Sequence, residues 1–406
     1  MALILLGSEH FAVFGTREGV NAMRHQNSVM HELLKQVPWA TFDRLVEEHE
    51  ADARIRRLTT KSQFVALLYG QLAGAASLRE IETALSSHAA RLYHVGGARV
   101  LRSTLADANA LRPAALFADL FASMTAQASR GLRRKIGEAV RLIDSTGVRL
   151  AGLGAEWARF SAKASGGKLH VVYDPDADRP LYAAVTTAKV NDITAAKAMP
   201  IEAGATYVFD LGYYDYGWWA KLDQAGCRIV TRFKKNTPLN LIAENPVAAG
   251  SPVLSDRIGL LPPRQARSRR NPFGEPVREV RVNTEAGKTL RILTNDLDAP
   301  AEEIAALYKR RWAIELFFRW VKQMLKIRHF IGRSENAMRV QIAVALIAFL
   351  LLRLAQAAVA VVDSPLAFPR LIRANLMHRR PLHRLLASSE PQNTDPRQCS
   401  LSLQPA

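Results

Sequence analysis

The chain has 406 residues, 49% of them hydrophobic, a formal net charge of +18 and a sequence pI near 10.2. That length holds a sizeable core and two or three domains, and the clustered Arg and Lys residues favour a polyanionic partner, nucleic acid before an anionic membrane. Cys227 and Cys399 stand far apart in unlike contexts, which excludes a disulfide framework or a cysteine-based zinc site and suits a reducing cytoplasm.

MALILLGSEH is too short in apolar length for a signal peptide and lacks its basic region. Residues 1–22 announce no element and read as a loose N-terminal extension. From 23 to 130 the periodicity is helical, through HELLKQVPWATFDRLVEEH, KSQFVALLYGQLAGA, SLREIETALSSH and ALFADLFASM. Ser77 with Glu80 three residues on makes a capping box. The helices expected at 61–74 and 78–86 admit two readings, a DNA-reading helix-turn-helix or an ordinary helical hairpin.

After the basic joint GLRRKIG the pattern turns to α/β. AVRLIDST is a short apolar strand ending at Asp144, and LHVVYDP and LYAAVTTAKV are strands of an antiparallel meander. Residues 192–203 read as helix interrupted by Pro200; TYVFDLGYYD is a second apolar strand ending at Asp210, with Gly212 allowing a sharp exit. CRIVTRFKKN is a further strand with a basic end. This order of strands and helices indicates a mixed sheet.

Residues 238–276 are Pro-rich and read as irregular, with PPRQARSRRNP as the strongest basic patch and a solvated loop expected there. VREVRVNT and TLRILTND predict a hairpin. From Thr231 to Arg291 twelve Lys/Arg face five Asp/Glu, so this segment is an insertion (231–296) with a charge of its own. The chain is then helical again, and its longest apolar run, the eleven residues Ile342–Leu352, ends at Arg353. A bilayer span needs about 20, so a core helix of a soluble protein is expected. Residues 388–406 are polar and expected to be disordered.

The most informative run is YKRRWAIELFFRWVK. On one helix Tyr308, Arg311, Glu315 and Lys322 fall at roughly 0°, 300°, 340° and 320°, a single stripe. Ala313, Leu316, Phe317, Trp320 and Met324 make the apolar face. A carboxylate flanked by a phenol, a guanidinium and an ammonium suits a metal-assisted phosphate site: the carboxylate binds a hard cation, the others hold phosphate oxygens. A solvated face with i,i+4 ion pairs is the plainer alternative.

Asp144 and Asp210 each end an apolar strand, where a sheet exposes polar groups, and a helix packed across that edge brings Glu315 alongside. Three converging carboxylates repel one another without cations. Two Mg²⁺ ions about 3.5–4 Å apart would neutralise them and clamp the oxygens of an in-line phosphoryl displacement. Taken singly, Asp144 before Ser-Thr-Gly and Asp210 before Leu-Gly-Tyr also read as turn residues.

On these residues the chain resembles bacterial insertion-sequence transposases of the DDE class, in the subgroup with a Tyr-x2-Arg-x3-Glu-x6-Lys signature. Tyr308, Arg311, Glu315 and Lys322 complete that signature, followed by LKIRHFIGRSENA; Asp144 in IDST and Asp210 in FDLGYYD match the first and second Asp. The resemblance covers roughly 140–385, and the helical segment 24–130 resembles an accompanying N-terminal domain. It implies an all-α N-terminal domain (23–130) before an RNase H-like catalytic core (131–387), a mixed sheet with flanking helices and a mainly β insertion.

It further implies Mg²⁺-dependent cleavage and strand transfer at terminal inverted repeats by cut-and-paste, with Mn²⁺ a possible substitute. Asp144, Asp210 and Glu315 would be metal ligands, and Tyr308, Arg311 and Lys322 would hold DNA phosphates. Double-stranded DNA would be the partner of a homodimer in the synapse, in the cytoplasm at the nucleoid. Residues 231–300 contain no Trp, only Phe233 and Phe273, which departs from relatives that trap a flipped base on an insertion aromatic. Lys168, His170 and Asp192 lie in stretches that also match and read as support. A DNA-binding relic without cleavage and another RNase H-like nuclease, such as a junction resolvase, are the competing readings. The complete signature opposes the first, and the basic insertion with its separate helical segment opposes the second.

Overall fold

The structure, a computed structural model, describes residues 27–53, 55, 57–132, 139–150, 159–161, 164–264, 270–284, 287–324, 334–359, 367–379 and 381–385. The expected N-terminal extension, the 388–406 tail, most of the basic joint and most of the LKIRHFIGRSENA segment lie outside these residues.

Seven helices come first: α1 (Val29–Leu34), α2 (Trp39–Glu48), α3 (Thr60–Ala73), α4 (Leu78–Ser87), α5 (Ala89–Leu92), α6 (Arg102–Leu111) and α7 (Ala114–Leu132). Ser28, Thr59 and Ser77 cap α1, α3 and α4, the last as the sequence indicates. Ser77 Oγ accepts from Glu80 N at 3.2 Å, while the Glu80 carboxylate reaches one residue further back, to Ala76 N at 2.8 Å. α3 is buried from Ser62 to Leu72 and is a central core helix, whereas α4 buries only Leu78, Ile81 and Leu85.

The sheet contains β1 (Val140–Leu150), β2 (Arg159–Ser161), β3 (Ala164–Asp174), β4 (Arg179–Thr187), β5 (Thr206–Phe209), β6 (Arg228–Arg232), β7 (Asn240–Asn245), β8 (Val253–Leu260), β9 (Val277–Asn283) and β10 (Thr289–Thr294). Its order is β2-β3-β1-β5-β6-β10-β9-β8-β7, with β4 on β3. β1, β5 and β6 run parallel; β3 and β4 are antiparallel additions on one side, and β10 to β7 on the other. The insertion hairpin therefore continues the central sheet through β10 on β6.

Two expectations need correction here. β1 does not end at Asp144: it runs on to Leu150, because β3 offers it a partner from Ser165 to Tyr173. Residues 238–276 are not irregular, since β7 and β8 form there. Pro246, Pro252 and Pro262 bound these strands instead of interrupting them, a placement that spares the ladder its missing donor. Of the basic patch, Arg264 bridges Arg270, and 265–269 lie outside the described residues.

Helices cover both faces. α8 (Asp192–Ala196) and α9 (Tyr216–Gln224) pack with Ile143, Val172, Phe209 and Trp219 on one side. The other side belongs to α10 (Ala301–Arg310), α11 (Trp312–Met324) and α12 (Glu335–Val359), with α13 (Ala367–Asn375) beyond. There Leu142, Val171 and Tyr173 share one core with α12 and the N-terminal helices. α12 is long and apolar enough to cross a membrane by length and composition, but 78% of its apolar window is buried inside this fold. It packs on α3, α6, α7 and β4, which accounts for the all-round apolar sequence.

Candidate active site

Parallel pairing sets Ile143 opposite Phe209. Asp144 is thus the first β1 residue beyond the β5 pairing, and Asp210 is the first residue beyond β5. The register brings the two to one level, at the point where the sheet opens between β1 and β5.

Asp210 is also a turn residue, as its plainer reading held. Its Oδ1 accepts from Gly212 N at 2.8 Å and caps the 3₁₀ turn Leu211–Tyr213. A Cβ at Gly212 would stand 3.0 Å from Asp210 Oδ1 and 3.2 Å from Asp192 Oδ2. Glycine lets both carboxylates crowd that backbone. Asp144 Oδ1 accepts from Ser145 N at 2.7 Å.

The signature run is not one helix, as the sequence suggested. It breaks at Arg311 between α10 and α11, where Arg311 N bonds Tyr308 O and Ile314 N bonds Arg311 O in tight i→i−3 fashion. The kink is mild (φ −53, ψ −27), so the polar residues still share a side. The apolar face is shifted: Ile314, Phe317, Phe318, Trp320 and Val321 are buried, while Leu316 is 46% and Trp312 53% exposed.

Arg311 joins helix to sheet. Its Nη1 donates to Asp144 Oδ2 at 3.2 Å and its Nη2 to Glu315 Oε1 at 2.6 Å. Burial opposes the guanidinium charge, but Tyr308, Glu315 and Asp144 outweigh it and hold its pKa above the ordinary value. Its Nε is buried without a hydrogen-bond partner among the described residues. Tyr308 is buried with its ring centroid 5.8 Å from the guanidinium carbon, and burial pushes its phenol up.

Asp144 is the perturbed acid. Its pKa rises to about 6, chiefly through burial, and the charges of Asp210 and Glu315 add to the rise; Ser145 N–H and Arg311 offset part of it. A buried acid among like charges is what makes Asp144 a candidate functional carboxylate.

Five of the six residues singled out by sequence are therefore neighbours: Asp144, Asp210, Tyr308, Arg311 and Glu315. Lys322 stands two turns along α11, half-buried, with no hydrogen bond or ion pair to them among the described residues. The sequence did not single out Ser145, Tyr213 or Arg232. Ser145 lies between Asp144 and Asp192, Tyr213 feels all three aspartates, and Arg232 acts on Tyr308. Period-2 alternation along IDST, which puts Asp144 and Ser145 on opposite faces of β1, is the signal that points to Ser145.

Carboxylate oxygens are the ligands a hard divalent cation takes. Among the described residues no three acidic or thiol or imidazole groups are gathered closely enough to hold an ion as they stand. Between Asp144 and Glu315 lies the Arg311 guanidinium, a positive charge where the donor set calls for one. These donors are of the kind a divalent cation takes, and in this structure the Arg311 guanidinium bridges two of them.

A model of the Transposase DDE domain family matches residues 135–351, more than half of the chain. A second, of a domain of unknown function (DUF4372), matches residues 25–98. The chain belongs to the DDE-domain family of transposases. It is 42% identical over 280 residues to the putative transposase y4zB of Sinorhizobium fredii, covering 68% of this chain and 77% of that one. It is 31% identical over 238 residues to a probable transposase for insertion sequence element IS5377 of Geobacillus stearothermophilus, covering 58% and 62%. A solved piggyBac transposase synaptic complex with hairpin DNA aligns over 90% of this chain and 81% of its own, at 13% identity and a TM-score of 0.44, too distant to bear on the reading.

Proposed function

We propose that the protein is a metal-dependent transposase that cleaves DNA at the terminal inverted repeats of an insertion sequence and transfers the freed ends to a target. The observation that supports this reading is that Asp144 feels the charges of both Asp210 and Glu315, brought near it by a parallel strand and a helix. The order β4-β3-β1-β5-β6, with β3 and β4 antiparallel, supports an RNase H-like core, and the complete Tyr308, Arg311, Glu315 and Lys322 set supports the signature subgroup. The catalytic domain would span 131–387, after a helical DNA-binding domain at 23–130.

Asp144, Asp210 and Glu315 would hold Mg²⁺, with Mn²⁺ a substitute; bound there, the cations supply a Lewis acid and an activated water for attack on a phosphodiester. Arg311, paired here with Asp144 and Glu315, would hold a DNA phosphate, for which a guanidinium fork is well shaped. Tyr308, fixed by burial, presents its phenol at the same end, and Lys322 holds a phosphate further along the duplex. The net charge of +18 supports double-stranded DNA as partner, and a homodimer would bring two ends together. Phe233 and Phe273 are both buried, so no aromatic among the described insertion residues offers a platform for a flipped base.

The test is a duplex carrying the end of the protein's own element, incubated with Mg²⁺ or Ca²⁺ and resolved strand by strand on a denaturing gel. Cutting at the boundary with Mg²⁺ alone, lost in Asp144→Ala, Asp210→Ala and Glu315→Ala while DNA binding persists, is expected. Wild-type cutting in any of the three would defeat the site; salt-sensitive binding without cutting would mean a DNA-binding relic.

A further inference from the structure

On β1 the side chains alternate. Leu142 packs in the core beneath the α11 and α12 face, and Ile143 in the core beneath α8 and α9. Asp144 therefore faces Arg311, and Ser145 faces the opposite side. There Ser145 Oγ donates to Asp192 Oδ1 at 2.8 Å. The same oxygen accepts from Lys168 Nζ at 3.1 Å, which also donates to Val190 O at 3.1 Å. Asp192 opens α8; Lys168 and His170 come from β3, opposite Gly147 and Ser145 of β1.

Asp192 is 24% exposed, but the wall behind it is buried. His170 is fully buried, with Nε2 2.8 Å from Thr186 Oγ1. The Thr186 hydroxyl also lies 3.2 Å from Thr187 O. Nδ1 lies 3.7 Å from Asp192 Oδ1, with no hydrogen-bond partner among the described residues. The other Asp192 oxygen lies against the Gly212 turn, whose N–H holds Asp210. One carboxylate thus touches the residue after Asp144 and the turn that fixes Asp210.

We propose that Asp192 is a positioning residue that sets the separation of Asp144 and Asp210 through Ser145 and the Gly212 turn. The role rests on the cleavage site argued above, and it makes Lys168 the charge partner that holds Asp192 in its seat. Asp144 and Asp210 are on different strands whose direct pairing stops one residue earlier, at Ile143 and Phe209. Beyond that rung no backbone ladder spans the two, and Asp192 contacts both sides of the gap.

The test compares the full-length wild-type chain with Asp192→Ala, Asp192→Asn and Ser145→Ala. Mn²⁺ binding is read by electron paramagnetic resonance, Mg²⁺ half-saturation by cleavage of the element end, and folding by thermal melting. Outer-shell partners of a metal site cost about 10–100-fold in affinity when removed. Asp192→Ala should weaken Mn²⁺ binding by such a factor and raise the Mg²⁺ requirement in parallel, with excess Mg²⁺ restoring cleavage. Asp192→Asn, whose amide oxygen still accepts from Ser145 and Lys168, should recover part of the loss. Ser145→Ala, which removes a single link, should shift both constants in the same direction by less.

Wild-type Mn²⁺ affinity in folded Asp192→Ala would overturn the role. So would unchanged affinity in Ser145→Ala if the Asp192 variants fail to fold, since the network would then serve packing alone. A wild-type chain that neither binds Mn²⁺ nor cuts would overturn the cleavage site beneath it, a result distinct from wild-type binding with unaffected variants.

Discussion

Among the arginines that pair with aspartates in this molecule, Arg278 and Arg311 do it differently. In the insertion, Arg278 grips both oxygens of Asp256 at 2.7 Å, both side chains are 4% exposed, and Nη1 adds the carbonyls of Leu297 and Ala299. In the site, Arg311 touches one oxygen of Asp144 and one of Glu315, its Nε has no hydrogen-bond partner among the described residues, and the Asp144 pKa rises to about 6. The first pair is closed: each charge has its opposite in fork geometry. The second is open, since one guanidinium serves carboxylates that also feel Asp210. A structural ion pair satisfies itself, and a site leaves a charge imbalance for its ligands to complete.

That contrast breaks first at activity. Glu315→Ala should reduce cleavage more than about a hundredfold, beyond the upper end of what losing an outer-shell partner costs, while Arg278→Met leaves the folded fraction fully active; comparable losses in single-turnover assays would erase the distinction. On stability the order reverses. Removing one member of a buried pair costs about 3–5 kcal/mol, so Arg278→Ala should lower the urea midpoint far more than Arg311→Ala, whose partners Asp144 and Glu315 are 17% and 33% exposed and keep some water.

The third difference is in pH. The Asp144 pKa is raised from 3.8 to about 6 on folding, so between those values the native state keeps a proton that the unfolded chain has released. Stability from this group is full below about pH 4 and is lost as pH rises through about 6, by roughly 3 kcal/mol at most for a shift of that size. Melting from pH 4 to 7 in metal-free buffer should show that fall, and Asp144→Asn should flatten it. A variant curve parallel to wild type would mean that Asp144 is not the perturbed acid. The smallest effect belongs to Arg339, whose i,i+4 pair with Glu335 is 41% and 42% exposed. Arg339→Ala should shift stability by about 0.5 kcal/mol or less, which calibrates how much burial matters in the other two pairs.

Much of the site was legible because its residues punctuate apolar runs: Asp144 after RLI, Asp210 after YVF, and Glu315 amid the apolar residues of α11. β1, β3, β4, β5 and β6 were readable in chain order for the same reason, while β2 (Arg159–Ser161) was not. What escaped depends on partners distant in sequence. β1 continues past Asp144 because β3 pairs with it, and the Pro-rich stretch forms β7 and β8 because β8 pairs with β9 and β7 with β8. The break at Arg311 lacks the Gly or Pro that usually announces one, and the exposure of Leu316 follows from it. Asp192 looked like a helix start in sequence; only the fold puts it between Ser145 and Gly212.

The central claim is that Asp144, Asp210 and Glu315 form one cation site. Its most direct test is Fe²⁺ with ascorbate and peroxide, where hydroxyl radicals cut the polypeptide next to the bound ion. Backbone cuts clustered near residues 144, 210 and 315, suppressed by excess Mg²⁺ and absent in Glu315→Ala, are predicted. Cuts confined to other segments, or a pattern indifferent to Mg²⁺ and to Glu315, would contradict the account.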